Sequence, residues 1–270
     1  MIVRLMIVAV MFGCVAPVFA ADNLFTSMSE IKKEAGIMGD EAVDVVTSPF
    51  ELNYKGLVTT LAVAGAVGIT YAFDYNIRDK VQGLKRNSTL DNVTDFSSNV
   101  IGNPLVHIGI AAAVYGGGIY ADSELWKKTG LMLGEAALLA DAGALILKQA
   151  VGRGRPDVTR DKNNFKPFQF KTDYDSFPSM HTSSAFAMAS VMGSTSESIY
   201  TKLLYYSAAT FVGFSRIYQD KHWASDVLMG AALGELCGRV VIQHHSEPKS
   251  IAFMPMVGNG TIGVAMLKEW

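Results

Sequence analysis

Charge is scarce in this chain. Only 18% of its 270 residues are Asp, Glu, Lys or Arg, and 23 basic residues against 25 acidic ones leave a net charge of −2. Without a basic surplus there is no electrostatic footprint of a nucleic-acid binder, and that class of partner is excluded. Cysteine is scarcer still, since Cys14 and Cys237 are the whole complement. A disulfide framework is therefore excluded, and Cys237 reads as a small buried residue. Internal repeats, low-complexity segments and heptad runs are also missing, which removes solenoids and coiled coils.

What is present is apolar, with half of all residues hydrophobic. Residues 1–20 read as an export signal: Arg4, an apolar run from Leu5 to Val15, and "VFA" before Ala21. Cleavage would remove one basic residue, leaving 23 − 1 = 22 against 25 acidic and a charge of −3. The alternative is an uncleaved anchor. Residues 21–55 form a leader whose "SMSEIKKEAGIMGDEAVDVV" suits an amphipathic helix. Apolar helical stretches follow at about 56–73, 98–120, 129–149, 181–195, 199–217 and 224–243, within a domain spanning 56–246. In the tail, 247–270, "GNG" lies between two short Ile/Val/Met-rich runs and predicts a hairpin. The expected fold is all-α, a bundle of about six core helices with a short C-terminal β-hairpin.

The charge that does exist is concentrated. A loop at about 150–178 holds Arg153, Arg155, Arg160, Lys162, Lys166 and Lys171, and a loop of that length is more often functional than idle. Three clusters occur in order. "KQAVGRGRP" carries Lys148 and Arg155, "FPSMH" carries Ser179, Met180 and His181, and "SRIYQDKHWASD" carries Arg216, His222 and Asp226. Arg and Lys suit phosphate oxygens. Pro and Ser are helix N-terminal residues, where free backbone N–H groups favour an anion. On a helix, His222 and Asp226 lie about 40° apart around the axis, the arrangement of a base with its orienter. Two histidines divide phosphoryl transfer between them, one attacking phosphorus and one protonating the leaving oxygen. The cations can neutralise the transferred group, so no metal and no cofactor are expected. His244 and His245 follow the last helix, where its dipole favours a cation.

At these residues, over about 98–243, the chain resembles the type 2 phosphatidic acid phosphatase family, which shares a helical core with the bacterial class A acid phosphatases and the vanadium haloperoxidases. The resemblance implies that His222 is the nucleophile, Asp226 its orienter and His181 the general acid. It also implies that Lys148, Arg155, Ser179 and Arg216 hold the phosphate, with the backbone of Met180. The family usually has glycine where this chain has Met180, which adds bulk beside the phosphate or leaving group.

The expected function is a metal-independent phosphatase of phosphate monoesters or pyrophosphates, lipid-linked, acting through a phosphohistidine. Alternatives are a vanadium-dependent haloperoxidase, a lipid phosphotransferase and a non-enzymatic anion-binding envelope protein. "GLVTTLAVAGAVGITYAF" nearly suffices to span a bilayer, whereas the stretches holding Glu135 and Asp141, or Glu235 and Arg239, carry costly charges. With an exported start, three full spans before Lys148 would leave the basic loop in the cytoplasm. The expectation is therefore membrane association with an exported, periplasmic or envelope-associated site, the alternative being an integral inner-membrane enzyme.

Overall fold

The computed structural model describes residues 28–51, 53–84, 86–246, 251–258 and 261–268; the expected export signal lies outside them. Ten α-helices occur among the described residues: α1 Met28–Thr47, α2 Tyr54–Ala72, α3 Asp74–Gln82, α4 Ser88–Phe96, α5 Pro104–Tyr120, α6 Glu124–Val151, α7 Pro156–Thr159, α8 Met180–Ser194, α9 Ile199–Tyr218 and α10 Ala224–His245. The all-α bundle is as expected. The C-terminal hairpin is no part of this helical architecture.

Polar residues start the helices as capping chemistry requires. Asn53 accepts the Gly56 N–H at 2.7 Å ahead of α2, and Asn87 accepts that of Leu90 at 2.8 Å ahead of α4. The single helix expected over 98–120 is broken: a π-helical turn, Ser97–Ile101, precedes α5, and the two parts bend by 55°. Asn103 and Pro104 explain the break, because Pro disfavours helical geometry in the residue before it and is favoured at the first helical position. The helices α3 and α4 escaped the hydrophobic reading because each is nine residues long and largely polar.

The apolar core joins Ala136, Ala137, Ala140 and Ala144 of α6 to Ala187 and Val191 of α8 and Leu233, Cys237 and Val241 of α10. Cys237 is buried, as its reading implied. Small residues let α8 and α10 touch. A side chain at Gly230 would collide with the Ser179 carbonyl, and one at Gly234 with the Ser183 carbonyl. That approach brings the first turns of both helices to one end of the bundle, where the Ser179 N–H donates to the Asp226 carbonyl at 3.0 Å. Two other helices end there. Lys148 closes α6 before Gly152, whose φ of 61° favours glycine and where a side chain would collide with the Lys166 carbonyl, and the last carbonyls of α2, at Tyr71 and Ala72, accept Lys162 Nζ at 2.9 and 3.0 Å.

Helix α2 has no buried residue, and Leu61 and Ile69 are 62% and 65% exposed. Among the described residues, α2 and α6 are each long and apolar enough to cross a membrane, and the bent pair 88–101 with 104–120 brings the candidates to at most three.

Candidate active site

Each expected residue lies at this common end. Asp226, fully buried in the first turn of α10, accepts the Trp223 N–H at 2.8 Å, the Ser176 hydroxyl at 2.5 Å and Arg153 Nη1 at 2.5 Å. His222 is 2% exposed, and its Nδ1 lies 2.6 Å from the Ser176 carbonyl. A carbonyl can only accept, so Nδ1 carries the hydrogen and Nε2 keeps its lone pair. This corrects the expected pairing. The Asp226 carboxylate is 3.9 Å from Nδ1 and acts at one remove: it fixes Ser176 through the hydroxyl, and the Ser176 carbonyl fixes the ring. Asp226 is spoken for by stronger donors, a guanidinium and a helix-cap N–H.

Arg153, Ser176 and Asp74 were missed as site residues. Arg153 is 1% exposed and bridges two carboxylates, reaching Asp74 Oδ2 at 2.7 Å through Nη2. Asp74, at the start of α3, also accepts the Ser225 N–H at 2.9 Å and its hydroxyl at 2.6 Å. In sequence Arg153 looked like any other basic loop residue beside Arg155. The only available signal was an imbalance, since a buried Asp226 needs a cation and the motif offers none to spare.

The phosphate-holding candidates surround the histidines. Lys148 Nζ, 4% exposed, donates to the Asp175 carbonyl, and Arg155 Nε donates to Asp175 Oδ1 at 2.6 Å. Arg216, 8% exposed, donates Nη1 to Gln219 Oε1 at 2.7 Å, while its buried Nε has no partner. Gln219 is held in turn by Asp95, 2.9 Å from its amide nitrogen. Ser179 is the residue before α8, fully buried, and its hydroxyl accepts that of Thr182 at 2.9 Å instead of capping the helix. The Met180 side chain packs against the apolar core.

Electrostatics tie the set together. Burial, then the charges of Lys148, Arg155 and Arg216, hold His222 well below the usual imidazole range. Burial followed by Arg216, Lys148 and Arg155 pushes His181 down to about 3. Burial, and then Arg155, lowers Arg216 to about 10. Both imidazoles are therefore neutral in a pocket with surplus positive charge, which an arriving dianion would reverse.

Residues 129–249 match the family model described as the PAP2 superfamily. Over 187 residues the chain is 32% identical to a lipid A 1-phosphatase of Porphyromonas gingivalis, covering 67% of this chain and 37% of that protein. Over 116 residues it is 34% identical to a decaprenylphosphoryl-5-phosphoribose phosphatase of Mycobacterium tuberculosis, covering 43% of this chain and 60% of the relative. The chain thus spans little more than a third of the first relative's length. Among solved structures, a transmembrane PAP2-type phosphatidylglycerolphosphate phosphatase from Bacillus subtilis superposes with a TM-score of 0.52 at 22% identity, over 73% of this chain and 95% of its own, a likeness of fold alone. The stretch matched by the family model, 129–249, contains all three clusters, and over it the chain is similar to the PAP2 superfamily.

Proposed function

We propose that the protein is a lipid-phosphate phosphatase that hydrolyses phosphate monoesters or pyrophosphates through a phosphohistidine. The observation that carries this is the bond from His222 Nδ1 to the Ser176 carbonyl, which leaves Nε2 as the nucleophile. Nε2 attacks phosphorus as the bond to the leaving oxygen breaks, and His181 gives its proton to that oxygen. Water then attacks phosphorus, the P–N bond breaks, and His181 takes the proton from water, returning free phosphate and neutral His222. Lys148, Arg155, Arg216 and the first turn of α8 meet the charge on the transferred group, so turnover proceeds in chelator. Relatives named as phosphatases of lipid A and of a decaprenyl-linked phosphoribose support an amphiphilic substrate. So does the exposed apolar surface of α2, which ends beside the site.

The test compares purified full-length chain on a short soluble phosphate ester and on its long-chain counterpart with the same head group. Binding of the remote chain should raise kcat/KM at least about tenfold. Equal values would overturn the lipid assignment, and no phosphate release from either would overturn the enzymatic one.

The chain is membrane-associated in this reading. Because α2 and α6 both run towards the site, crossing by both requires the bent α4–α5 segment to cross back, which sets α1 on the opposite face. An exported site then goes with α1 on the cytoplasmic side, whereas a cleaved signal goes with a site facing the cytoplasm. The domain limits, 21–55, 56–246 and 247–270, belong to the same proposal.

A further inference from the structure

A second cluster of ionisable groups lies away from the phosphate chemistry, about 20 Å along α6 from Lys148 at 1.5 Å per residue. Glu135 of α6 is 2% exposed, and its Oε2 lies 2.6 Å from Nε2 of His245, the last residue of α10. Glu41 of α1 is fully buried, with Oε1 3.7 Å from the same nitrogen. Glu34 stands seven residues before Glu41, two turns away on the same face of α1. One ligand atom from each of Glu34, Glu135 and His245 can be chosen so that all lie within 4.8 Å of one another.

This cluster is short of donors. Glu34 Oε2, both oxygens of Glu41 and Glu135 Oε1 are buried without a hydrogen-bond partner, and one histidine N–H cannot serve them all. Leaving a carboxylate oxygen buried and unpaired is costly. Sequence does not suggest the cluster, because its members come from three helices and Glu135 reads only as an obstacle to spanning.

We propose that Glu34, Glu41, Glu135 and His245 form a binding site for one divalent transition-metal ion, which staples α1 to α6 and α10. One imidazole nitrogen with three carboxylates is a mixed N/O set of the kind that Zn²⁺ and Mn²⁺ accept, and the nitrogen disfavours Ca²⁺ and Mg²⁺. To bind, His245 Nε2 gives up its proton and turns from donor to Glu135 into metal ligand. The neighbouring contact of His244 Nε2 with Asp44 Oδ2, at 2.8 Å, holds α1 and α10 in register. This proposal does not depend on the enzymatic reading.

The test uses the full chain in detergent, stripped of metal, with Zn²⁺ as the probe. About one Zn²⁺ per chain should survive gel filtration, and saturating Zn²⁺ should raise Tm by about 5 °C or more. Glu41→Gln and His245→Gln should each lose both effects, while His222→Ala keeps both. Should a variant fail to fold, Co²⁺ added to the wild type should give visible d–d absorption that Zn²⁺ abolishes. No bound Zn²⁺ and no Tm shift in the wild type would overturn the proposal. So would retention of both effects in Glu41→Gln, or their loss in His222→Ala.

Discussion

The two ends of the bundle solve the problem of buried charge in opposite ways. At the phosphate end the buried carboxylates are saturated: Asp226 takes three donors, and Asp74 takes Ser225 twice and Arg153 once. What is left over there is positive, including an unpartnered Nε on Arg216. At the other end the donors run out first, and burial with repulsion from Glu135 pushes the Glu41 carboxyl up to about 8. Saturated charge builds scaffold, and unsaturated charge marks where a ligand of the other sign is missing. By that rule one end is built for an anion and the other for a cation.

The strongest test of the contrast removes the proposed nucleophile and leaves the cationic cradle. In His222→Ala, turnover should fall by at least about 10⁴ while vanadate still binds within about tenfold, measured by steady-state kinetics and by calorimetry. Turnover near wild type would end the phosphohistidine mechanism. Loss of vanadate binding as large as the loss of rate would mean that His222 builds the cradle.

His181→Ala should cost roughly 10²–10⁴ in kcat, least for substrates with good leaving groups. The free site keeps His181 neutral down to about pH 3, so it can act as an acid only once the phosphate dianion raises its pKa. The profile of kcat should therefore show a basic limb that His181→Ala abolishes. Stability has its own sign. Above pH 6.5 His181 is neutral in folded and unfolded chains alike; below it the unfolded chain takes up a proton that the folded one refuses. Stability should fall as pH drops from about 6.5 towards 3, and that slope should lessen in His181→Ala.

Breaking the saturation should be costly without touching a reacting atom. Arg153→Met strands Asp74 and Asp226 in the interior, and removing one partner of a buried pair typically costs about 3–5 kcal/mol. Chemical unfolding should show a loss of this size, and adding Asp74→Asn should return part of it. An Arg153→Met chain as stable as the wild type would show that the triad is not what holds α3 and α10 together.

These readings also separate what sequence could reveal from what it could not. Lys148, Arg155, His181, Arg216, His222 and Asp226 could be named as candidates because their residue types suit phosphate chemistry and because the three clusters in order carry the family resemblance. Arg153 and Asp74 could not, because their meaning lies in each other across 79 residues. Ser176 was hidden for another reason, since it orients His222 through its backbone carbonyl, which every residue possesses. The glycines of α10 were visible, but only the opposing Ser179 and Ser183 carbonyls explain why a larger residue is barred. The helices were legible wherever an apolar face ran long enough, and the nine-residue α3 and α4 had none.

The smallest effect concerns Met180, which stands where the family this chain resembles usually has glycine. If the Met180 side chain reached the phosphate or the leaving group, Met180→Gly would open space there and change substrate preference. In the structure the side chain packs with the core cluster that includes Ala144, Ala187 and Leu233. The anion site would then see only the backbone N–H, which glycine also supplies. Met180→Gly should accordingly leave kcat/KM within about threefold for short and long-chain esters alike. The loss should fall on stability, because the variant removes a partly buried side chain and loosens the start of α8, at a cost of about 1–3 kcal/mol. The two readouts separate the possibilities. A lower Tm with unchanged preference places Met180 in the scaffold, while a tenfold change in the ratio of lipid to soluble kcat/KM at unchanged Tm would place it in the substrate path.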